Sequence, residues 1–394
     1  MRKSSSVQAT LSSRDLAPDV LRGFALLGIL LVNIQFFAVD SAEGARGQWV
    51  EGLANGGAAF IIFTLFQGKF YLLFSFLYGY SSHYIVQGEK SNRRRWLKRC
   101  MYLMIIGALH FTFLWHGDIL FAYGLFGLLL ALFFFRQDKT IKRWALGIFI
   151  VQTSLLTLVA VANYLAERSG EASEMVPPPP LDEVMRTGTY LESLKPRLEL
   201  WVLGFFGSGI VVMGGLAFVA FLLGLRAAQS GALTNMGVTM DVKRLALIGY
   251  GYGIPLQLVA GAIYLRNENA ANTSEAIYLI SVLISLVGAP LLTMAYIGTI
   301  LRLLPRFSAK MTWMRAAGQM SLTSYLVQSL LQMLVFAPWG LGLFQKIDMW
   351  AVLLIGIAIW LLQIRAAHWW INRFGQGPME KLMAKLTRKP ALTS

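Results

Sequence analysis

One cysteine, Cys100, occurs in 394 residues. That excludes an internal disulfide and any cysteine-built metal centre. Charge is scarce too, at 14% of residues, well short of the quarter or so that typically coats a soluble domain. Four histidines are present, and they are scattered. No Walker A loop, dinucleotide-binding glycine fingerprint or His-Glu-x-x-His helix occurs, so the common nucleotide and zinc chemistries have no residues to work with. No metal site is expected. What the chain has in excess is apolar surface: 56% of residues are hydrophobic and the mean hydropathy is +0.57.

Runs of roughly 20 apolar residues recur from end to end, each long enough to cross a bilayer as a helix. The pattern predicts an all-α polytopic membrane protein, one integral-membrane domain of about ten transmembrane helices. They are placed at 19–39, 66–87, 100–116, 118–135, 145–165, 201–225, 245–265, 275–301, 317–337 and 349–366. A shorter apolar piece, 55–65, reads as re-entrant or interfacial. The first span resembles a signal peptide in having a basic start and an apolar core. The charged stretch at 14–22 and the parity of the charge count instead favour an uncleaved helix.

The net charge of +15 invites a nucleic-acid reading, but its distribution argues against one. Lys and Arg concentrate in segments 1–18, 88–99, 136–144, 226–244, 302–316 and 365–394, whereas Asp and Glu crowd the intervening connections. This is the positive-inside pattern, with both termini cytoplasmic. Membrane lipids are the expected surroundings, no nucleic acid is expected, and a homodimer is compatible with this reading. The longest outer connection, 166–200, starts acidic, contains the proline run 177–180 and continues as an amphipathic stretch. It reads as a lid, an acceptor-binding element or a plain connector. The segment 367–394 reads as a cytoplasmic amphipathic tail.

Polar groups inside the spans are the candidates for function, because charge near hydrocarbon is costly and usually faces a protein interior or a wet cavity. Asp19 and Arg22 are three apart and share a helix face at the mouth of the first span. Asn33 follows on Arg22's face, about 16 Å deeper. The plain alternative is that Arg22 snorkels to the headgroups and Asp19 caps the helix. Lys69, at the entry of the second span, must be buried in protein or reach the interface. His110 lies about 16 Å from the basic loop before it, while His116 and Asp118 fall on the next turn. A neutral imidazole at that depth can move protons, with a carboxylate fixing its tautomer. It can equally complete a hydrogen bond to a neighbouring carbonyl.

The ninth predicted span carries Ser321, Ser324, Tyr325, Gln328 and Gln332 at the spacing of one helical face. That stripe implies either a polar cavity or an interhelical hydrogen-bonded seam. The glycines of 249–253 read as close helix packing, and Pro255 and Pro290 as places where helices break, as they do at transporter binding sites.

These motifs resemble the YeiB-like family of bacterial inner-membrane proteins. The resemblance runs through the opening 19–34, through Lys69-Phe70 with Leu73-Phe74-Ser75, and through His110 with Trp115, Gly117-Asp118-Ile119-Leu120 and Tyr123. It continues in Gly318 with 321–326, Gln328-Ser329, and the ending 374–380. The family looks related to the wider transmembrane acyltransferases, which include glycan O-acyltransferases and the lysosomal heparan-α-glucosaminide N-acetyltransferase. They share the Arg-Gly start of the first helix. Where Asn33 stands, the glycan O-acyltransferases carry His and the heparan enzyme carries Asn, so a reactive histidine has to come from another helix, here His110.

The resemblance implies an acyltransferase that moves an acyl (acetyl) group from cytoplasmic acyl-CoA to a sugar, glycolipid or small polar acceptor. His110 is the expected base or acyl carrier, Asp118 orients an imidazole, and Asn33 stabilises an oxyanion. Asp19, Arg22, Lys69, His116, Ser321, Ser324, Tyr325 and Gln328 are the expected binding residues. The basic stretch at 93–95, with Lys98 and Arg99, is expected to draw in the phosphates of coenzyme A. A transporter or exporter of a small polar metabolite is the alternative. It predicts an inverted repeat between the halves, and none is visible.

Overall fold

The near-continuous apolar runs leave the backbone one economical way to satisfy its own N–H and C=O groups in hydrocarbon, the helix. The structure, a computed structural model, describes residues 16–170, 180–233 and 241–387, and all regular structure among them is helical. The elements are α1 (Leu16–Ala38), α2 (Gly52–Ile61), α3 (Lys69–Val86), α4 (Arg93–Phe113), α5 (Leu120–Leu130), α6 (Asp138–Ser169), α7 (Pro180–Thr187) and α8 (Leu194–Gly204). They continue as α9 (Gly215–Gln229), α10 (Val242–Glu268), α11 (Glu275–Phe307), α12 (Thr312–Gln319), α13 (Ser321–Phe336), α14 (Met349–Phe374) and α15 (Pro378–Thr387). Six helical stretches among the described residues are long and apolar enough to cross a membrane: α1, Gly52–Val86, α6, α10, α11 and α14. The apolar helices α5, α9 and α13 are shorter. On α6, Leu146, Val151, Leu158 and Leu165 all stay more than half exposed, a surface suited to lipid contact.

Three interruptions of the helical run position the polar groups. The piece before the second span is itself a helix, α2 extended by a π-helical turn (Ile62–Phe66), and the chain breaks at Gln67 and Gly68. Gly68 holds φ +83°, a conformation that a side chain disfavours, and α3 restarts at Lys69. A second π-helical stretch, Phe205–Gly214, joins α8 to α9. The predicted ninth span is divided at Met320 into α12 and α13. Glu380 on α15 closes this last gap from outside: its carboxylate accepts from the N–H groups of Leu322 and Thr323 and from Thr323 Oγ1. A carboxylate at a helix N-terminus satisfies orphan donors and complements the dipole.

The breaks predicted at Pro255 and Pro290 do not occur, since α10 and α11 run through both prolines. One missing N–H can be absorbed where a neighbouring helix supports the chain, and α10 lies along α11. Gly249 and Gly253 make that approach close, because a Cβ on either would meet Leu291 or Leu292 within 3.0 Å. In lipid, helix association rests on such contact and on interhelical hydrogen bonds rather than on exclusion of water. The start of the first span follows the same logic. An added Cβ at Gly23 would lie 1.9 Å from Met314 O, and one at Gly318 would lie 1.8 Å from Asp19 O, so α1 and α12 cross backbone to backbone.

Helices α1, α3, α4, α5, α9 and α13 share the main core, centred on Leu21, Leu26, Phe70, Trp96, Phe221 and Tyr325. A second core toward the acidic end gathers Ile34, Phe37, Phe63, Trp115, Tyr264 and Phe336. There, Arg46 binds Glu268 at 3.1 Å and Glu275 at 3.0 Å and stacks over Tyr278, fastening the loop after α1 to α10 and α11. Burial disfavours the Arg46 charge, but Glu268 and Glu275 outweigh it and hold the guanidinium above its ordinary range.

Candidate functional site

At the basic end, α1, α3, α4, α12, α13 and α15 surround a cavity of about 300 Å³. Arg22 lies on its wall, bonded to Asp19 at 2.8 Å and to the Ser81 hydroxyl. Of the basic stretch on α4, Arg95 and Arg99 line the cavity, and Arg93, Arg94 and Lys98 do not. Ser321 and Tyr325 face it from α13, and Glu380 from α15. The more voluminous cleft of about 560 Å³ between Trp313 and Arg365 lies elsewhere and holds none of the expected site residues.

At the acidic end a second cavity, about 460 Å³, is walled by α1, the 67–68 break, the 115–119 turn and the α8–α9 segment. Asn33, His116 and Asp118 line it. Asn33 has no hydrogen-bond partner among the described residues. The indole N–H groups of Trp115 and Trp201, which also line this cavity, are buried without a partner among the described residues. A buried unpaired donor typically costs about 1–3 kcal/mol, so such groups are retained where something else supplies the acceptor. Tyr123 belongs to the walls of both cavities. It is 2% exposed, and its hydroxyl is held by Ser75 Oγ at 2.7 Å. Arg22 and Asn33, which the spacing places on one face of the first helix, therefore line separate cavities, with this aromatic layer between them.

His110 lies within that dividing layer, 2% exposed and on the wall of neither cavity. Its Nδ1 is 2.8 Å from Asp118 Oδ2, and its Nε2 is 2.9 Å from Ser329 Oγ. Asp118 Oδ1 accepts from the Phe121 N–H at 2.7 Å, which fixes the carboxylate from its other side. Gly107 allows this approach: a Cβ there would lie 2.3 Å from Phe121 N and 2.7 Å from Asp118 Oδ1. Tyr325 packs its ring 5.1 Å from the imidazole and accepts from Ile119 N–H at 3.3 Å, and Trp115 meets the imidazole edge-on. With Asp118 as carboxylate, Nδ1 carries the hydrogen and Nε2 presents a lone pair.

The other predicted residues separate into two groups. Asp19 holds Arg22, as the spacing implied. Lys69 is fully buried and donates to Phe63 O at 2.9 Å, a carbonyl of the π-helical turn, and to Ser285 Oγ at 3.1 Å. No carboxylate pairs with it among the described residues. It therefore supports the 67–68 break from behind and does not line the adjoining cavity. Ser324 and Gln328 form the seam that the sequence left open against a cavity. Gln328 donates to Gln363 Oε1 at 2.7 Å and to Leu26 O at 3.2 Å, and Gln363 donates back to Ser324 O at 2.6 Å. Ser329 and Tyr123 stood in the family motifs with no role assigned, and Ser81 and Trp201 were not singled out. The signal for Ser329 was available: it follows Tyr325 by four residues on the same helix face.

One family and three relatives resemble this chain, the relatives over nearly all of it. Residues 227–390 match a family described as a protein of unknown function, DUF418. The uncharacterized protein YxaH of Bacillus subtilis (strain 168) is 29% identical, covering 97% of this chain and 96% of that protein. The uncharacterized protein YeiB of Escherichia coli (strain K12) is 26% identical, covering 96% and 97%. An uncharacterized 39.9 kDa protein in the amylase 3′ region of Bacillus acidopullulyticus is 25% identical, over 94% and 92%.

Proposed function

Because this chain belongs to the YeiB-like family, we propose that it works as a transmembrane acyltransferase of the bacterial inner membrane. It would take an acyl group, acetyl in the simplest case, from cytoplasmic acyl-CoA and pass it to a sugar, glycolipid or small polar acceptor on the other side. In this reading the basic end faces the cytoplasm, both termini lie there, and the chain crosses the bilayer about ten times. One observation carries the proposal: two cavities lie toward opposite ends of α1, share Tyr123 as a wall, and flank a buried imidazole–carboxylate pair.

Arg22, Arg95 and Arg99 suit the donor's phosphates, which guanidinium groups bind with charge-assisted, often bidentate hydrogen bonds. The unpartnered Trp115 and Trp201 N–H groups and the Asn33 amide suit an acceptor rich in hydroxyl or carbonyl oxygens. His110 Nε2 is the proton acceptor for the attacking group, and Asp118 stabilises the imidazolium that forms. The test is to incubate the purified protein in nanodiscs with labelled acetyl-CoA and a panel of acceptors. Labelled product is expected. Arg22→Ala and Arg99→Ala should weaken donor binding, and more salt should weaken it further. Equal donor affinity in wild type and variants removes the cavity from the proposal.

The shared Tyr123 wall also suits alternating access to a small polar metabolite. Metabolite counterflow into proteoliposomes without any acyl transfer would favour that reading.

A further inference from the structure

His110 Nε2, the atom that the proposed reaction needs as a base, is already occupied. Its 2.9 Å partner is Ser329 Oγ, and both groups are sealed from the two cavities. With Nδ1–H committed to Asp118 and the imidazole in its neutral, base-competent form, the Ser329 hydroxyl is the hydrogen donor to Nε2. An acceptor hydroxyl cannot use that lone pair unless the serine is displaced. The first oxygen that this base can activate is therefore the protein's own.

We propose that Ser329 is the nucleophile and carries the acyl group as an ester between donor and acceptor. This rests on the acyltransferase reading and assigns its chemical route. Nucleophile bonded to base, and base bonded to an orienting carboxylate, is the arrangement by which a weak hydroxyl is made reactive. Its three members come from α13, α4 and the turn before α5.

In the first half-reaction Ser329 Oγ attacks the thioester carbonyl and its proton passes to Nε2. The carbon–sulfur bond breaks, and the departing thiolate takes that proton to leave as free thiol. In the second, an acceptor hydroxyl or amine attacks the serine ester while Nε2 takes its proton. Ser329 Oγ leaves and recovers the proton, so enzyme, charge and atoms balance. Tyr325 controls the donor's approach: it lines the basic-end cavity one turn before Ser329, about 6 Å along α13. Among the described residues its hydroxyl is tethered by the 3.3 Å bond from Ile119 N–H alone. Rotation of that ring joins the cavity to Ser329. Asp118 lines the opposite cavity, which sets the second half-reaction on the acceptor side.

The test exposes full-length protein in nanodiscs to labelled acetyl-CoA with no acceptor, followed by peptide mapping. The expected result is one hydroxylamine-labile acyl group on the peptide containing Ser329, discharged when acceptor is added. Ser329→Ala should lose the label and about a hundredfold or more of the transfer rate. Ser329→Cys, which keeps volume and a nucleophile, should label as a thioester and so shows that loss in the alanine variant is not loss of folding. Product formed at normal rate by Ser329→Ala, or label found on His110, overturns the serine relay and leaves the acyltransferase reading standing. Neither label nor product with any donor and acceptor overturns both.

Discussion

At the residue scale, His110 is held by two partners whose demands differ. A carboxylate at Asp118 Oδ2 takes the hydrogen of Nδ1, which leaves Nε2 of the neutral ring to accept from the Ser329 hydroxyl. A glutamine can meet part of this geometry but cannot accept a proton near neutral pH. His110→Gln should therefore fold and insert, losing on the order of 1 kcal/mol for an imperfect hydrogen bond, while acyl transfer falls about a hundredfold or more. Thermal unfolding in detergent and turnover with labelled acetyl-CoA check the two halves. Near-normal turnover removes the imidazole from the chemistry. The sequence made His110 and Asp118 legible because charge and imidazole are rare in an apolar run. Ser329 was visible as a position but not as a partner of His110, because serine is ordinary in membrane helices, where its hydroxyl commonly returns to its own backbone.

Among elements, α7 shows how an outer segment is held in place. Its buried face presents Leu181, Met185 and Asp182, and Asp182 accepts from the Ser41 N–H at 3.0 Å. Burial pushes the Asp182 carboxyl up to about 6, assisted by Asp40 and opposed by its bonds to Ser41 and by Arg186. A carboxyl raised on folding is bound to its proton more tightly in the docked state. Its contribution is thus fully present below about pH 4, and is lost as pH rises through about 6. Docking of α7 should accordingly loosen between about pH 4 and pH 7, seen as falling protection factors in 180–187, which discount the intrinsic rise of amide exchange with pH. Asp182→Asn keeps an oxygen acceptor for Ser41 and carries no charge, so it should remove the pH dependence and protect the segment at pH 8. Unchanged exchange profiles in the variant contradict this account. The sequence marked 181–200 as amphipathic, but whether it docks depends on Ser41, which lies 141 positions from Asp182 in the chain. The 177–179 part of the proline run falls outside the described residues, as do positions 175 and 240, which the charge pattern places on the outer and inner sides.

For the whole molecule, the decisive property is that its two cavities lie toward opposite ends of α1, one beside Arg22 and the other beside Asn33. Cys100 is buried against Tyr78, so Cys100→Ser provides a background without thiols. In that background Ala42→Cys, on the acidic-end cavity, should react with a membrane-impermeant thiol reagent in intact cells. Gln319→Cys, on the basic-end cavity, should react only in inverted vesicles. Labelling of both from the same side would sink the two-sided arrangement and with it the proposed direction of transfer.

Composition alone determined that this chain is helical and built for a bilayer, because unpaired backbone groups in hydrocarbon leave few alternatives. Local spacing determined the Asp19–Arg22 pair and the polar stripe on α13, since three- and four-residue intervals bring side chains together on any helix. Tertiary structure decided the rest. It turned Ser324 and Gln328 into a seam with Gln363, and Ser321 and Tyr325 toward a cavity. It moved the helix breaks from the prolines to Gly68 and Met320. It brought Ser329 within hydrogen-bonding distance of His110 across 219 positions of sequence. Periodicity reports which face of a helix is polar, whereas the partner of that face depends on how distant helices cross, and those crossings are set by contacts that no local window contains.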